Sequence, residues 1–247
     1  MYLPLFLTLA CLSTCHSFNE HGKVYNASDD CNFLQHIKVS MELKKTGFHR
    51  ELVTTIRFNN SGLLSKILLL YSWPKDIYVD PFQLASLGDQ RNWEMLLDST
   101  IDLETPAHKS SGFVTYLFPH LEQLPSAQVN LTIPIHGRYQ KPSHHGNALN
   151  SVDIHPPSLL LWAIETCNNL SSFTTTVVVA PCTANNSSTC QWIEVHPQQQ
   201  PDPVTLELPV GDASLVIPVC GGTLLVTIIC TVSLSKSAWA RTYEIII

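Results

Sequence analysis

HIKVSMELKKTGFHRELVTTIRF, residues 36–58, carries the pattern that decides the fold. Apolar and polar side chains alternate in HIKVSMEL and again in LVTTIRF. Because successive side chains of a strand point to opposite faces, this alternation gives each run one apolar face. Gly47 lies between the two runs and supplies a residue that tolerates a tight turn. The stretch therefore predicts two antiparallel strands joined by a turn.

Short β-branched or aromatic runs recur along the rest of the chain, separated by clusters of Pro, Gly, Asn and Ser. Such spacing is typical of an antiparallel sandwich or barrel. We predict a mainly β fold with an antiparallel β-sandwich-like domain. The best helical candidate is Pro81–Leu97, because proline suits the first turn of a helix. The further runs are ILLLYSW, FVTYLF, AQVNLTIPI, SLLLWAI, TTTVVVA, CQWIEV and VTLELPV.

A long uncharged stretch near the C-terminus, LVIPVCGGTLLVTIICTVSL, occupies Leu215–Leu234. At about 1.5 Å rise per residue, a helix of this length reaches roughly 30 Å, the thickness of the hydrocarbon core of a bilayer. Lys236 and Arg241 follow the stretch, and basic residues stay on the cytosolic side, so we expect a cytosolic C-terminus. A pair of very hydrophobic core strands is the alternative, but it would run through Gly221–Gly222 without turn residues.

The first residues, MYLPLFLTLACLSTCHS, are typical of a signal peptide. The apolar run Tyr2–Leu12 is too short to span a bilayer, which needs roughly 20 residues. A short buried N-terminal strand is the alternative. The predicted topology is single-pass type I, with most of the chain luminal and the span in contact with membrane lipid. The predicted parts are a signal peptide (1–17), a luminal glycosylated β-rich domain (18–212), a transmembrane helix (213–235) and a short cytosolic tail (236–247).

Two polar segments interrupt the β pattern. His136–Asn150 is rich in Gly, His and Asn and predicts a long loop. His196–Pro203, HPQQQPDP, predicts a linker that could let the domain stand off from the bilayer, although VTLELPV must then return to the sheet.

The net charge of the chain is −6, and its Lys and Arg residues are scattered. Proteins that bind nucleic acid present a basic patch or stripe, so nucleic acid is not an expected partner.

Four of the eight cysteines fall in the predicted luminal part, where disulfides form. They allow three pairings. We favour Cys182 with Cys190, because the TANNSST segment between them is a loop that a short bridge would close. Cys31 would then pair with Cys167. A metal site is the competing interpretation, but no CxxC or Cys/His spacing supports it.

Glycosylation sequons of the type Asn-x-Ser/Thr are dense, which agrees with exposure to the lumen. Two of them overlap, so only one of that pair is expected to be modified. The sequons begin at Asn26, Asn59, Asn130, Asn169, Asn185 and Asn186.

The sequence contains no GxGxxG, GxxxxGK[ST], GxSxG or HExxH motif. Histidines on a polar loop and acidic pairs are weak candidates for a metal, a cation or a sugar-nucleotide enzyme, because such groups are usually solvated. We predict no catalytic residue, cofactor or metal site. The weak candidates are His136, His144, His145 and His155, and the pairs Asp29–Asp30 and Asp102–Glu104.

Three segments carry more polar and aromatic detail than a scaffold needs. They are KKTGFHREL (Lys44–Leu52), IYVDPFQLASL (Ile77–Leu87) and IPIHGRYQKPS (Ile133–Ser143). A tight hairpin and its own packing would explain each segment without a partner.

Taken together, five segments in order resemble the PIG-X family, the non-catalytic stabilising subunits of GPI mannosyltransferase I. The likeness runs from about Cys31 to Gly211 and extends to the membrane topology. Any one segment would be a weak signal, whereas five in order are specific. The matching segments are GFHREL, YVDPFQLASL, IHGRYQKPS, APCTANNSSTCQW (Ala180–Trp192) and LPVG (Leu208–Gly211).

The resemblance implies a protein of the endoplasmic reticulum membrane that binds and stabilises PIG-M, the multi-spanning catalytic subunit. That partner transfers the first mannose from dolichol-phosphate-mannose to a glucosamine-phosphatidylinositol acceptor. This chain would then need no cofactor and carry no catalytic residue. In the span, Gly221, Gly222, Thr223 and Thr227 would allow close helix packing. The luminal residues expected to contact the partner are Phe48, His49, Arg50, Tyr78, Arg138 and Tyr139.

Two other functions fit parts of the pattern. A cell-surface adhesion or receptor-type β domain fits the topology and the glycans, but the Cys…Trp…Cys spacing of an immunoglobulin domain is absent. A luminal membrane-bound enzyme would use acids near Asp29 or Asp102. Glycans sensitive to endoglycosidase H would indicate the endoplasmic reticulum, and mannosyl transfer by this chain alone would indicate an enzyme.

Overall fold

The computed structural model describes residues 37–58, 66–87, 91–120, 128–144, 146, 148–162, 176–197 and 201–246. The predicted signal peptide, the predicted Cys31–Cys167 pair and the sequons at Asn26, Asn59 and Asn169 lie outside these residues.

Twelve strands and two α-helices form the described part of the chain. The strands are β1 (Lys38–Lys44), β2 (His49–Arg57), β3 (Ile67–Trp73), β4 (Ile77–Tyr78), β5 (Trp93–Leu97), β6 (Phe113–Pro119), β7 (Gln128–Gly137), β8 (Leu149–Ile154), β9 (Ser158–Trp162), β10 (Thr176–Thr183), β11 (Asn186–Val195) and β12 (Val204–Pro209), and the helices are α1 (Pro81–Leu87) and α2 (Val216–Ile246).

The strands are arranged in three sheets, and every strand pair is antiparallel. A four-stranded sheet has the order β1-β2-β7-β4, and a six-stranded sheet has the order β10-β11-β9-β3-β6-β5. Strands β12 and β8 form a third, two-stranded sheet. The mainly β, sandwich-like fold that the sequence predicts is confirmed.

One hydrophobic core joins the inner faces of these sheets. Ile56 of β2, Leu69 of β3 and Leu206 of β12 all belong to it and are fully buried. The hydroxyl of Tyr71 donates to Thr54 Oγ1 at 2.8 Å and so connects the six-stranded sheet to the four-stranded sheet. Burial raises the pKa of Tyr71, which therefore stays neutral in the core.

Residues 38–57 form the hairpin β1–β2, in register from Lys38↔Arg57 to Lys44↔Glu51. Its turn contains two residues with positive φ, Lys45 at 64° and Gly47 at 78°. The turn expected at Gly47 is therefore present.

The helix expected over Pro81–Leu97 is less than half as long as predicted. Helix α1 begins at Pro81, where Asp80 Oδ1 accepts a hydrogen bond from the Phe82 N–H at 2.8 Å, and ends at Leu87. Residues Trp93–Leu97 form strand β5 instead, paired with β6. The indole of Trp93 is buried, because this pairing places it in the main core.

A disulfide joins Cys182 to Cys190 across the β10–β11 hairpin, the pair that the short intervening loop favours. The hairpin also holds Trp192, whose Nε1 donates to the carbonyls of Ala180 at 3.3 Å and Pro181 at 3.2 Å. Trp192 is fully buried in a second, smaller cluster on the outer face of the six-stranded sheet.

Strand β12 leads directly to the membrane helix. The Ser143 N–H donates to the Gly211 carbonyl at 2.9 Å, and the Ala213 N–H donates to the Ser143 carbonyl at 3.0 Å. Asp212 then starts a 3-10 turn by accepting from the Ser214 N–H at 2.8 Å. His196–Pro203 therefore precedes a paired strand, and it does not separate the domain from the span.

Helix α2 contains the predicted span. Together with the 3-10 turn before it, α2 gives a segment, Ala213–Trp239, that is long and apolar enough to cross a membrane. The most apolar 18 residues of this segment have a mean hydropathy of 2.3 and are not buried. The hydroxyls of Thr223 and Thr227 donate to carbonyls one turn earlier in the helix, at 3.0 and 2.7 Å. These threonines thus satisfy their own hydrogen bonds within the helix.

Candidate functional site

The three unusual segments of the sequence meet at one end of the four-stranded sheet. There the β1–β2 turn, strand β4 and the end of β7 lie side by side. The Gly137 N–H donates to the Phe48 carbonyl, and the Arg138 N–H donates to the Asp76 carbonyl, both at 2.8 Å. We call the side chains gathered here the end cluster, defined as Phe48, His49, Tyr78, His136, Arg138 and Tyr139.

Ring contacts hold the end cluster together. The imidazole of His136 stacks on Tyr78, with centroids 5.0 Å apart and planes 14° apart, and His49 approaches it edge-on at 4.6 Å. The ring of Phe48 lies 5.1 Å from that of Tyr139. Most of the partner-contact residues expected from the sequence are therefore direct neighbours.

His136 lies at the centre of this arrangement, although the sequence pattern predicts a loop there. It belongs to β7, opposite His49 of β2 and Tyr78 of β4. Its Nε2 lies 2.7 Å from Gln83 Oε1, and its buried Nδ1 has no hydrogen-bond partner among the residues that the structure describes. Burial, and then the neighbouring His49, lower the pKa of His136, so the neutral ring is favoured.

Arg138 is a buried, charged member of the end cluster. Its side chain is only 4% exposed, and its Nη1 donates to the carbonyls of Asp102 and Thr105, both at 2.7 Å. The guanidinium carbon lies 4.9 Å from the centre of the Tyr78 ring. Burial lowers the pKa of Arg138, but an arginine stays charged at any physiological pH. Its direct contact with a partner stays a prediction.

Two groups near Arg138, the Tyr78 hydroxyl and the Asp102 carboxyl, also have shifted pKa values. Burial raises the pKa of the Tyr78 hydroxyl. The Thr105 hydroxyl, followed by the Glu104 N–H, lowers the pKa of Asp102. The acidic pair Asp102–Glu104 thus belongs to a hydrogen-bonded turn.

Gly137 allows the segments to approach one another. A Cβ at this position would overlap Leu208 Cδ2 of β12 and lie 3.2 Å from Phe48 Cδ1. Glycine is therefore favoured at this position because β7, β12 and the β1–β2 turn pack closely here. A positive φ is not the reason.

Arg50 stabilises the β1–β2 turn. Its Nε donates to the Gly47 carbonyl at 2.9 Å and its Nη1 to the Lys45 carbonyl at 2.6 Å. Lys45 also pairs with Glu51 at 2.6 Å. These contacts fix the turn on which Phe48 and His49 are carried.

The outer part of the region is apolar and accessible. The Tyr139 side chain is 75% exposed, while its carbonyl accepts a hydrogen bond from the Ala107 N–H at 3.1 Å. Phe82 of α1, next to Gln83, is 76% exposed. Aromatic side chains held on a rigid backbone are typical of protein contact surfaces.

Among the residues that the structure describes, no group of three or more His, Cys, Asp or Glu side chains could hold a metal ion. His136 is buried in the end cluster, and His155 is exposed in the connection from β8 to β9.

Two of the predicted glycosylation sites have described side chains. Asn130 is exposed on β7, where its Oδ1 accepts from the Thr55 hydroxyl at 3.0 Å. Asn185 is exposed in the β10–β11 turn, and the backbone of Asn186 begins β11. Their glycosylation stays a prediction.

Comparison with known proteins identifies a family and named relatives. A model of the family described as PIG-X / PBN1 matches residues 45–239. A human protein named "GPI alpha-1,4-mannosyltransferase I, stabilizing subunit" is 29% identical over 199 residues, 79% of this chain and 77% of the relative. A mouse protein of the same name is 27% identical, covering 79% of this chain and 78% of the relative.

Among solved structures, a cohesin module from a Clostridium perfringens family 33 glycoside hydrolase aligns with 70% of this chain and 97% of the module. The identity is 10% and the TM-score 0.29, so this likeness supports no conclusion.

Proposed function

Because the chain belongs to the PIG-X / PBN1 family, we propose that it is the non-catalytic stabilising subunit of GPI mannosyltransferase I. The observation that carries the proposal is the family match across residues 45–239, which includes the sandwich from β2 onward and the predicted span. The human, mouse and rat relatives share one name, which describes a stabilizing subunit.

The proposed partner is PIG-M, the multi-spanning catalytic subunit that adds the first mannose to the GPI precursor. The proposed location is the endoplasmic reticulum membrane, with the sandwich in the lumen. Lys236 and Arg241 on the C-terminal side of the span support this orientation.

Stabilisation of a partner follows from mass action. A protein that binds only the folded form of another shifts its folding equilibrium by about 2.7 kcal/mol at a hundredfold excess over the dissociation constant. Such a subunit needs a contact surface for its partner but no catalytic residues.

The proposed luminal contact surface is the exposed part of the end cluster. Tyr139, Phe48 and His49 would touch the partner, and Tyr78, Arg50 and Arg138 would hold them in place. Phe82 extends this surface.

The proposed contact within the membrane is the glycine pair of the span. A Cβ added at Gly221 or at Gly222 would meet no atom within 4 Å among the described residues. A partner helix could therefore approach the backbone closely at these two positions, as small residues allow in membrane helix packing.

Deletion of the gene tests the function. We expect loss of the first GPI mannosylation step together with a fall in the abundance of PIG-M, and rescue of both by excess PIG-M. Normal PIG-M abundance with lost mannosylation would contradict a stabilising role. Mannosyl transfer by this chain alone would identify an enzyme.

Surface variants test the contact site separately. Tyr139→Ala with Phe82→Ala should reduce co-purification of PIG-M and lower its abundance, because both side chains are exposed and support little of the core. The matched control is Val177→Ala with Val179→Ala, also exposed but on edge strand β10. Equal co-purification by both double variants would rule out the end cluster as the contact site.

A further inference from the structure

A cleft of about 170 Å³ lies beside the end cluster, within the connection from β5 to β6. The walls come from that connection, and Arg138 contributes from the segment after β7. Lys109 lines the cleft from the 3-10 turn Ala107–Lys109. The Ala107 N–H donates to the Tyr139 carbonyl at 3.1 Å, so this turn is fastened to the end cluster. The cleft is therefore continuous with the proposed contact surface.

Arg138 brings a buried positive charge to this cleft without a matching carboxylate. Its side chain is 4% exposed, and it forms no ion pair with a residue that the structure describes. Its Nη1 donates to the carbonyls of Asp102 and Thr105, which are dipoles and leave the charge uncompensated. Its buried Nε has no hydrogen-bond partner among the described residues. Because buried arginines are generally paired with an anion, the cleft lacks a negative group.

One carboxylate, that of Asp102, also lines the cleft but does not pair with Arg138. Its oxygens accept from the Glu104 N–H and from the Thr105 hydroxyl. A doubly charged phosphate would be repelled by Asp102 more strongly than a singly charged carboxylate would be. The cleft is therefore better suited to a carboxylate.

The geometry of the guanidinium also suits a carboxylate. Since Nη1 of Arg138 is already engaged, the N–H groups of Nε and Nη2 remain, and they lie on one edge of the planar group. Such an edge can donate to the two oxygens of a carboxylate at once. Lys109 adds an exposed ammonium that forms no ion pair with a described residue. The hydroxyls of Ser99 and Ser110 donate within the chain, so the two cations are the groups that would bind the ligand.

The size of the cleft points to a side chain as its ligand. Sites for whole small molecules usually occupy roughly 300–1,000 Å³, whereas this cleft has about 170 Å³. We propose that it receives an aspartate or glutamate side chain of the protein partner that docks on the end cluster. The carboxylate binds the free edge of Arg138, and Lys109 pairs with it from the rim. The affinity for a carboxylate stands on the cleft alone, whereas the identity of the partner rests on the proposed function.

Crosslinking without a spacer tests the contact in the complex of the full chain with PIG-M. A carbodiimide condenses an amine with a carboxylate that touches it, and mass spectrometry identifies the joined residues. We expect an amide bond between Lys109 and an aspartate or glutamate of PIG-M. Lys38, which is exposed on β1 and outside the cleft, should form none with PIG-M. A complex that forms but gives no crosslink at Lys109 would overturn this inference and leave the proposed function standing.

Variants at the rim test the same contact by charge. Lys109→Gln should reduce the amount of co-purified PIG-M by roughly two- to fivefold, which is the range for an exposed ion pair. Lys109→Arg keeps the charge and should keep the complex. Lys38→Gln is the matched control and should also keep it. An unchanged complex in Lys109→Gln, or an equal loss in Lys38→Gln, would contradict the proposal.

The chain alone tests the cleft without the partner. In detergent, sodium acetate should raise the melting temperature by roughly 2–4 °C above that in sodium chloride of equal ionic strength. Lys109→Gln should remove this difference, and Lys38→Gln should keep it. If no complex with PIG-M forms, the proposed function fails, and an equal acetate effect in the natural chain and in Lys109→Gln would overturn the cleft as well. An acetate effect that needs Lys109, without a crosslink from Lys109 in the complex, would overturn a protein side chain as the source of the carboxylate.

Discussion

Gly137 allows β7 to pass between Phe48 and Leu208, because a Cβ at this position would overlap the Leu208 side chain. Its neighbours His136 and Arg138 are buried polar groups whose charges and hydrogen bonds depend on that packing. Single substitutions at His136, Gly137 or Arg138 should therefore lower the stability of the fold. Substitutions at Tyr139 should instead weaken binding of the proposed partner.

We expect Gly137→Ala to lower the free energy of unfolding by about 1–3 kcal/mol, because the new methyl group displaces the buried Leu208 side chain. Denaturant unfolding of the full chain in detergent measures the change. Gly211→Ala is the control: its Cβ would meet only Pro142 at 3.8 Å, so its effect should stay within about 0.5 kcal/mol. Similar losses for both variants would contradict the packing explanation.

His136 should make stability depend on pH. Its pKa is lower in the folded chain than the ordinary value of about 6.5, so the unfolded chain binds the proton more tightly. The stability it contributes is fully present above pH 6.5 and is lost as the pH falls through the lower, folded pKa. Asp102 and Asp212 also have lowered pKa values, but their contributions are lost only around pH 4 and below.

His136→Phe keeps the ring stack on Tyr78 and removes the titrating group. We expect a smaller drop in melting temperature between pH 7.5 and pH 5.5 for this variant than for the natural chain. His155→Gln, at an exposed histidine, should leave the drop unchanged. An unchanged drop in His136→Phe would show that another group titrates.

At the scale of elements, alternation predicts strands such as β2 correctly because they have one buried face. Leu52, Thr54 and Ile56 of β2 are buried while their neighbours are not. The same rule fails for Trp93–Leu97, where only Trp93 is fully buried. Its pairing with β6 is a tertiary contact, and a local helical pattern cannot reveal it.

The β10–β11 hairpin depends on its disulfide, which closes a loop with a sequence separation of 8. In the chain-entropy model such a loop contributes roughly 2.5 kcal/mol. Cys182→Ser with Cys190→Ser should lose about this much stability in denaturant unfolding. A reducing agent should lower the stability of the natural chain by more than that of the variant, in which only the predicted Cys31–Cys167 bridge is left to reduce. Equal losses in the two proteins would mean that the Cys182–Cys190 bridge contributes nothing.

At the scale of the whole molecule, the sequence singles out three segments but cannot predict that they meet. Their contact depends on the register of β2 with β7, which pairs His49 with His136. It also depends on β4, which pairs Tyr78 with the same histidine. For this reason the local pattern predicts a loop at His136, and it does not reveal that the Arg138 side chain is buried.

The span should tolerate charge near its ends but not at its centre. Leu225→Arg places a cation near the middle of Leu215–Leu234, at a cost of roughly 2.5–3.5 kcal/mol for insertion. We expect much of the variant to be released from membranes by alkaline carbonate. In Leu234→Arg the long side chain can reach the interface, and this variant should stay with the membrane. Equal retention of both would contradict a span centred near Leu225.

Because Ser143 is hydrogen-bonded to Gly211 and Ala213, the connection between the sandwich and the membrane helix is short and held in place. A partner held in the same membrane would therefore meet the surface of the sandwich and the span in one bivalent encounter. When one contact has formed, a short and stiff connection gives the second a high effective concentration, and combined binding can exceed either contact alone by about 10²–10⁴. Lengthening the chain at Gly211 with a flexible insert would then weaken assembly without changing a single contact residue.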